Sequence, residues 1–197
     1  MHKGTIYIAG VDHLIQYRNG IVPEYLFDEF YGFFINLIWS YNITAVAEEF
    51  NREYLEDVYF SPEATVESAA VKSGVAHFFC DPGKDERLRM GIPYFADIRN
   101  MIKKKYGIHE KFISDRIMRG KIEQETIDES KKYWQIREEY WYSIISNIPY
   151  DSILFICGHE HVFRFRNLLL RNGRDAEVIE SFWHDEIFSD YTKLGIC

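Results

Sequence analysis

Five short apolar runs, alternating with helical sequence, leave this chain few folds to choose from. Ile6 to Gly10, Ile43 to Ala47, Val75 to Cys80, Ile153 to Cys157 and Ala176 to Ile179 read as strands. Between the first two, Val22-Pro23-Glu24 opens a helix to about Tyr41, with Leu26, Phe30, Phe33, Phe34 and Leu37 at helical spacing. Ser61-Pro62-Glu63 predicts a helix start, with a Ser cap and Pro in first position, running to Gly74. Asp81-Pro82-Gly83 is a turn. From Pro93 to about Ile148 the sequence is charged and helical, with expected breaks at Gly107 and Gly120. A last helix, His161 to Arg171, is closed by Asn172-Gly173. Strands joined by such long crossovers pair in parallel. The expected fold is therefore α/β: a mostly parallel central sheet of about five strands flanked by helices. The helical stretch at about 93–148 is a cap insertion, and 1–197 forms a single α/β domain.

Charge and hydropathy narrow the function classes. A net charge of −8 argues against a nonspecific nucleic-acid binder, which needs clustered positive charge to neutralise phosphates. The most apolar stretch, around Tyr31 to Tyr41, is interrupted by Asn36 and Ser40, so no membrane span is expected. Thr5 to Ala9 is too short for a secretion signal, which predicts a cytoplasmic location. Cys80, Cys157 and Cys197 form no CxxC pair and read as buried hydrophobes plus a terminal thiol.

Ligands of open α/β sheets bind beyond the carboxyl ends of the strands. The first strand here ends in Gly10-Val11-Asp12-His13, and the second in Glu48-Glu49, followed by Arg52. Cys80-Asp81, followed by Arg87, ends the third, and Gly158-His159-Glu160-His161 ends the fourth. Singly, each carboxylate could be a helix cap and each His a structural hydrogen-bonder. Together, four parallel strands would deliver His or carboxylate to one edge. Imidazole can take a proton or bind a divalent metal, carboxylate can share either task, and Arg can hold an anionic group. Glycine ahead of each His is expected to permit a tight turn. His159-Glu160-His161 is not the zincin pattern, and one of its two His is expected at the centre. His2, His77, His109 and His184 read as structural.

The two Gly-x-x-His sequences, Gly10 to His13 and Gly158 to His161, together with Glu48-Glu49, resemble the superfamily of TraB/PrgY, Tiki, ChaN-like and erythromycin-esterase-like proteins. Arg137, ahead of the last Gly-x-x-His strand, stands where TraB-like members carry an Arg-bearing helix; Asp81 with Arg87 is a looser match. The resemblance covers roughly residues 5–180 and rests on about a dozen positions. The chain is shorter than typical members and adds an aromatic tail, Phe182 to Ile196. The resemblance implies a hydrolase, with His13, Glu48, Glu49, Arg137 and His161 as catalytic residues. Arg52, Asp81, Arg87 and His159 are then expected to contact a small-molecule or peptide-like substrate. Where a divalent metal (Mn, Zn or Mg) is used, His13, Glu48 and His161 are its expected ligands.

Two other readings stand beside it. One is a noncatalytic small-ligand-binding module or a subunit of a larger assembly. It draws on the 17% aromatic content and on Tyr133-Trp134 and Tyr140-Trp141-Tyr142, which form either one buried helix face or a homodimer surface. The other is a nucleotide phosphodiesterase or nuclease, with Lys103-Lys104-Lys105, Arg164, Arg166, Arg171 and Arg174 as phosphate contacts. No P-loop, GxGxxG or GxSxG sequence is present.

Overall fold

Strands buried on both faces carry apolar residues at successive positions, as a parallel sheet covered by helices requires. In a computed structural model describing residues 4–18, 22–55, 63–109 and 115–184, five strands form one sheet, buried along its three central strands and partly exposed along the two outer ones. The five are β1 (Thr5–Val11), β2 (Ala45–Glu48), β3 (Ala76–Phe79), β4 (Ser152–Gly158) and β5 (Ala176–Glu180), in the order β3-β2-β4-β1-β5. Every pairing is parallel, and β1 and β4 align from Thr5 opposite Ser152 to Val11 opposite Gly158. All carboxyl ends therefore share one edge, as the α/β reading expected.

Alternation divides the core into two layers. Val11, Val46, Leu154 and Ile156 face α1 (Glu24–Ser40) and α3 (Thr65–Lys72). Ile6, Ile8, Ile153, Phe155 and Cys157 face α8 (Val162–Arg171) and the part of α7 (Trp134–Ile145) from Glu138 on. Helix α1 buries Leu26, Phe27, Phe30, Phe34, Leu37 and Ile38 along one stripe. Each such side chain contributes about 1.5–3 kcal/mol in removal from water.

Helix α3 starts later than Ser61-Pro62-Glu63 predicts. Ser61 and Pro62 lie outside the described residues, but Ala64 is extended and bridges Tyr17, while the Thr65 N–H donates to the Gln16 carbonyl. Those backbone pairings hold the chain out of the helix until Thr65. At the other end of the sheet unit, Asn172 caps α8 and Gly173 takes a left-handed φ of 70°, a conformation glycine adopts without a Cβ penalty.

The chain divides into two compact units: 1–83 with 138–197, which carries the sheet, and 84–137. The second contains α4 (Lys84–Met90), α5 (Phe95–Lys105) and α6 (Arg116–Ser130), packed on Ile98, Ile102 and Ile122. Gly107, past α5, has φ 67°, matching the expected break. Gly120 does not break its helix: it lies inside α6, which Asp115 caps by accepting from the Ile117 and Met118 amides. A mid-helix glycine costs about 1 kcal/mol against alanine, and the uninterrupted helix absorbs that cost. The short turn Arg52–Tyr54 forms α2. No helix among the described residues is long and apolar enough to cross a membrane.

Candidate functional site

At the carboxyl edge of the sheet unit, β1 and β4 each run into a single 3-10 turn, His13–Ile15 and His159–His161. Asp12 caps the first turn by accepting from the Leu14 amide at 2.8 Å. Because β1 and β4 are neighbours in register, the two turns emerge side by side.

Glu49, just past β2, lies between the two histidines. Its Oε1 is 3.8 Å from His13 Nε2 and 3.6 Å from His161 Nε2. The other oxygen, Oε2, accepts the Gly158 amide at 2.8 Å, which fixes the carboxylate against β4. Each imidazole is held from behind through Nδ1. His13 Nδ1 lies 2.6 Å from Gln16 Oε1, and His161 Nδ1 lies 2.9 Å from Glu138 Oε1. Arg164 also donates to Glu138, from Nε at 3.0 Å. With Nδ1 as donor on each ring, Nε2 is the nitrogen that can accept a proton or a cation.

Exposure separates the two histidines. The His13 side chain is 47% exposed, whereas that of His161 is 4% exposed and meets the Trp141 ring edge-on at 5.0 Å. His13 is the imidazole open to solvent; His161 is buried.

Glu48 has a different task from its neighbour. As the last residue of β2 it follows the strand alternation onto the α1 face. There its Oε2 takes the Gln16 amide at 3.1 Å and its Oε1 lies 2.8 Å from His77 Nε2. Asp81 accepts the Trp141 indole N–H at 3.0 Å. His159 stacks on Phe182, with ring centroids 3.9 Å apart and planes 11° from parallel. Arg52 pairs with Glu67 and lies over the Phe79 ring. Arg87 and Arg137 belong to the 84–137 unit, where Arg87 lies over Tyr94 and donates to the Pro93 carbonyl at 3.3 Å.

The glycines of both motifs serve close approach rather than a turn. Neither Gly10 nor Gly158 has positive φ. A Cβ on Gly158 would stand 2.9 Å from His13 Nε2, and one on Gly10 would stand 2.2 Å from the Ser181 carbonyl oxygen. The expectation of a tight turn is corrected accordingly: these positions need the missing side chain, not the extra backbone freedom.

Gln16, His77 and Glu138 also bond to these groups, and no motif in the sequence marks them. His77 carries a recoverable signal, since period two on β3 puts it on the face that Glu48 occupies in β2, and Val46 pairs with it directly. Gln16 follows His13 by three residues, one turn on. Nothing local marks Glu138, whose partner lies on a different element.

Cys80 and Cys157 are both buried. Burial pushes Cys80 well above the ordinary thiol range, with Glu48 and Asp81 adding to it. Burial does the same to Cys157, with Glu49 and Glu138 adding. Among the described residues, no three His, Cys, Asp or Glu side chains are grouped as a ready-made metal site. Of the aromatic run on α7, Trp141 is fully buried in the core, which suits a buried face at that position. In the tail, Trp183 packs on Phe30 and Phe33, and residues 185–197 lie outside the described residues. Comparison with protein-family models, with curated proteins and with solved structures finds no match.

Proposed function

We propose that this chain is a hydrolase of the Tiki, TraB and erythromycin-esterase-like type, in which His13 activates water at the carboxyl edge of the sheet. One observation carries the reading: Nε2 of a half-exposed and of a buried histidine both face one oxygen of Glu49, while each Nδ1 is held by an acceptor. The resemblance drawn from the two Gly-x-x-His sequences is supported by the adjacency of β1 and β4, which puts both motifs at one site.

The chemistry follows from the atoms. Water at the exposed Nε2 gives its proton to His13 as its oxygen attacks the substrate's ester or amide carbonyl. Glu49 stabilises the imidazolium that forms, and the proton passes to the leaving group as the scissile bond breaks. His161, oriented by Glu138, lines the far side of Glu49 with its Nε2 at 3.6 Å. For a divalent metal (Mn, Zn or Mg), the donor chemistry of His13 Nε2, His161 Nε2 and Glu49 Oε1 fits better than a set containing Glu48, which is engaged with Gln16 and His77. Such a metal, when bound, supplies a water of lowered pKa. The acid–base reading comes first because it uses the observed spacing without closing these three groups into a ligand cage.

The test is turnover of activated esters, peptides and phosphoesters by the wild type, His13→Ala and His161→Ala, with elemental analysis of all three proteins. Loss of about 10²–10⁴ in kcat in His13→Ala at unchanged circular dichroism is expected. Full activity in both variants overturns the proposal. Ligand binding without turnover of any panel member by the wild type points instead to the binding-module reading. A stoichiometric metal lost in both variants assigns the metal-dependent form of the hydrolase.

A further inference from the structure

Gln16 is fully buried, yet both ends of its amide are engaged. Its Nε2 lies 3.1 Å from Glu48 Oε2 and its Oε1 lies 2.6 Å from His13 Nδ1. An ionised carboxylate only accepts hydrogen bonds, so the amide must present its NH2 to Glu48. Its carbonyl oxygen then faces His13, and a carbonyl oxygen only accepts. The hydrogen on His13 must therefore sit on Nδ1. Glu48 is anchored in turn, because its other oxygen is 2.8 Å from His77 Nε2 on the adjacent strand, a side chain only 5% exposed.

We propose that His77, Glu48 and Gln16 form a positioning chain that holds His13 in the Nδ1–H tautomer and leaves Nε2 as its basic nitrogen. The inference rests on the proposed function for its purpose, since a base facing Glu49 must have its lone pair there. The tautomer itself is a property of the resting protein. An imidazole left to water favours hydrogen on Nε2, so the Nδ1–H form is one that the protein has to impose. Nothing in the chain touches the reacting atoms: Gln16 acts only through His13, and Glu48 and His77 act only through Gln16. A buried glutamine and a histidine on an outer strand, otherwise ordinary structural residues, thereby acquire a joint role.

The experiment is long-range ¹H–¹⁵N correlation NMR of the histidine side chains, recorded where the imidazoles are neutral. His13 is assigned by the signal lost in His13→Asn. The expected wild-type result is a protonated Nδ1 and a lone-pair Nε2 on His13. Gln16→Met should move the hydrogen to Nε2 or give a mixture, whereas Gln16→Glu, which keeps an acceptor for Nδ1, should retain Nδ1–H. A wild-type His13 with its hydrogen on Nε2 overturns the proposal; it would mean that Glu48 carries a proton and that the amide is reversed. An unchanged tautomer in folded Gln16→Met overturns it as well. If that variant fails to fold, the wild-type spectrum with Gln16→Glu still decides. No substrate is used, so Nδ1–H in a protein without hydrolytic activity would remove the function and leave the chain standing. Nε2–H would remove the chain whatever the activity.

Discussion

At the scale of single residues, the two motif glycines make separable demands. On Gly158, an added methyl meets the far end of a side chain, His13 Nε2 at 2.9 Å. That ring can swing away at little cost in stability, but it then leaves Glu49. On Gly10, the methyl meets the Ser181 backbone carbonyl at 2.2 Å, in a segment pinned where the Trp183 amide donates to the Gly10 carbonyl at 2.9 Å. Backbone cannot rotate out of the way. Gly10→Ala is therefore expected to lose about 1–3 kcal/mol in urea unfolding, the range for overpacking. Gly158→Ala should lose less than that, while the hydrolytic activity proposed above should fall as it does in His13→Ala. Equal stability losses in the two variants would contradict this division. Much of the site is legible at this scale, because His13, Glu49 and His161 all stand at strand ends. Choosing between Glu48 and Glu49 is harder. Neighbouring side chains at a strand end point to opposite faces, and only the contacts show that Glu49 is the one between the histidines.

Secondary-structure elements were legible where one face is buried and less so where two segments compete for the same backbone. The stripe on α1 can be read directly from spacing, and its central member, Phe30, packs against Phe33, Phe34 and Trp183. Phe30→Ala is expected to cost about 3–5 kcal/mol, measured by denaturant midpoint at constant slope. A loss below about 1 kcal/mol would mean that the layer collapses around the vacancy. Helix α3 shows the opposite case. Its local start signal is sound, yet the Tyr17–Ala64 bridge and the Thr65–Gln16 hydrogen bond, invisible in local sequence, set the boundary. Gly120 shows that a glycine lowers helix propensity without ending a helix that is well capped and packed.

Across the whole molecule, the two units differ in how much they bury. The sheet unit has two apolar layers, whereas 84–137 is organised around Ile98, Ile102 and Ile122. Local opening free energy follows buried apolar contact. Amide hydrogen exchange should accordingly be faster in α5 and α6 than in β1 and β4, by a factor set by the smaller core. Equal protection throughout would show a single cooperative unit. Parallel strands and their common edge were legible from the alternation of runs and crossovers, but the strand order was not. Which strands become neighbours depends on crossovers whose packing no local pattern encodes.

That strand order has a consequence for how the chain is made. Of the five strands β1 is synthesised first, yet both of its hydrogen-bonding edges are satisfied by β4 and β5, the last two of the five. Until those strands emerge its apolar residues wait without their native partners, and such unpaired edges invite intermolecular pairing. Since His161 follows β4, a nascent chain cannot assemble the His13–Glu49–His161 arrangement before β4 has been translated.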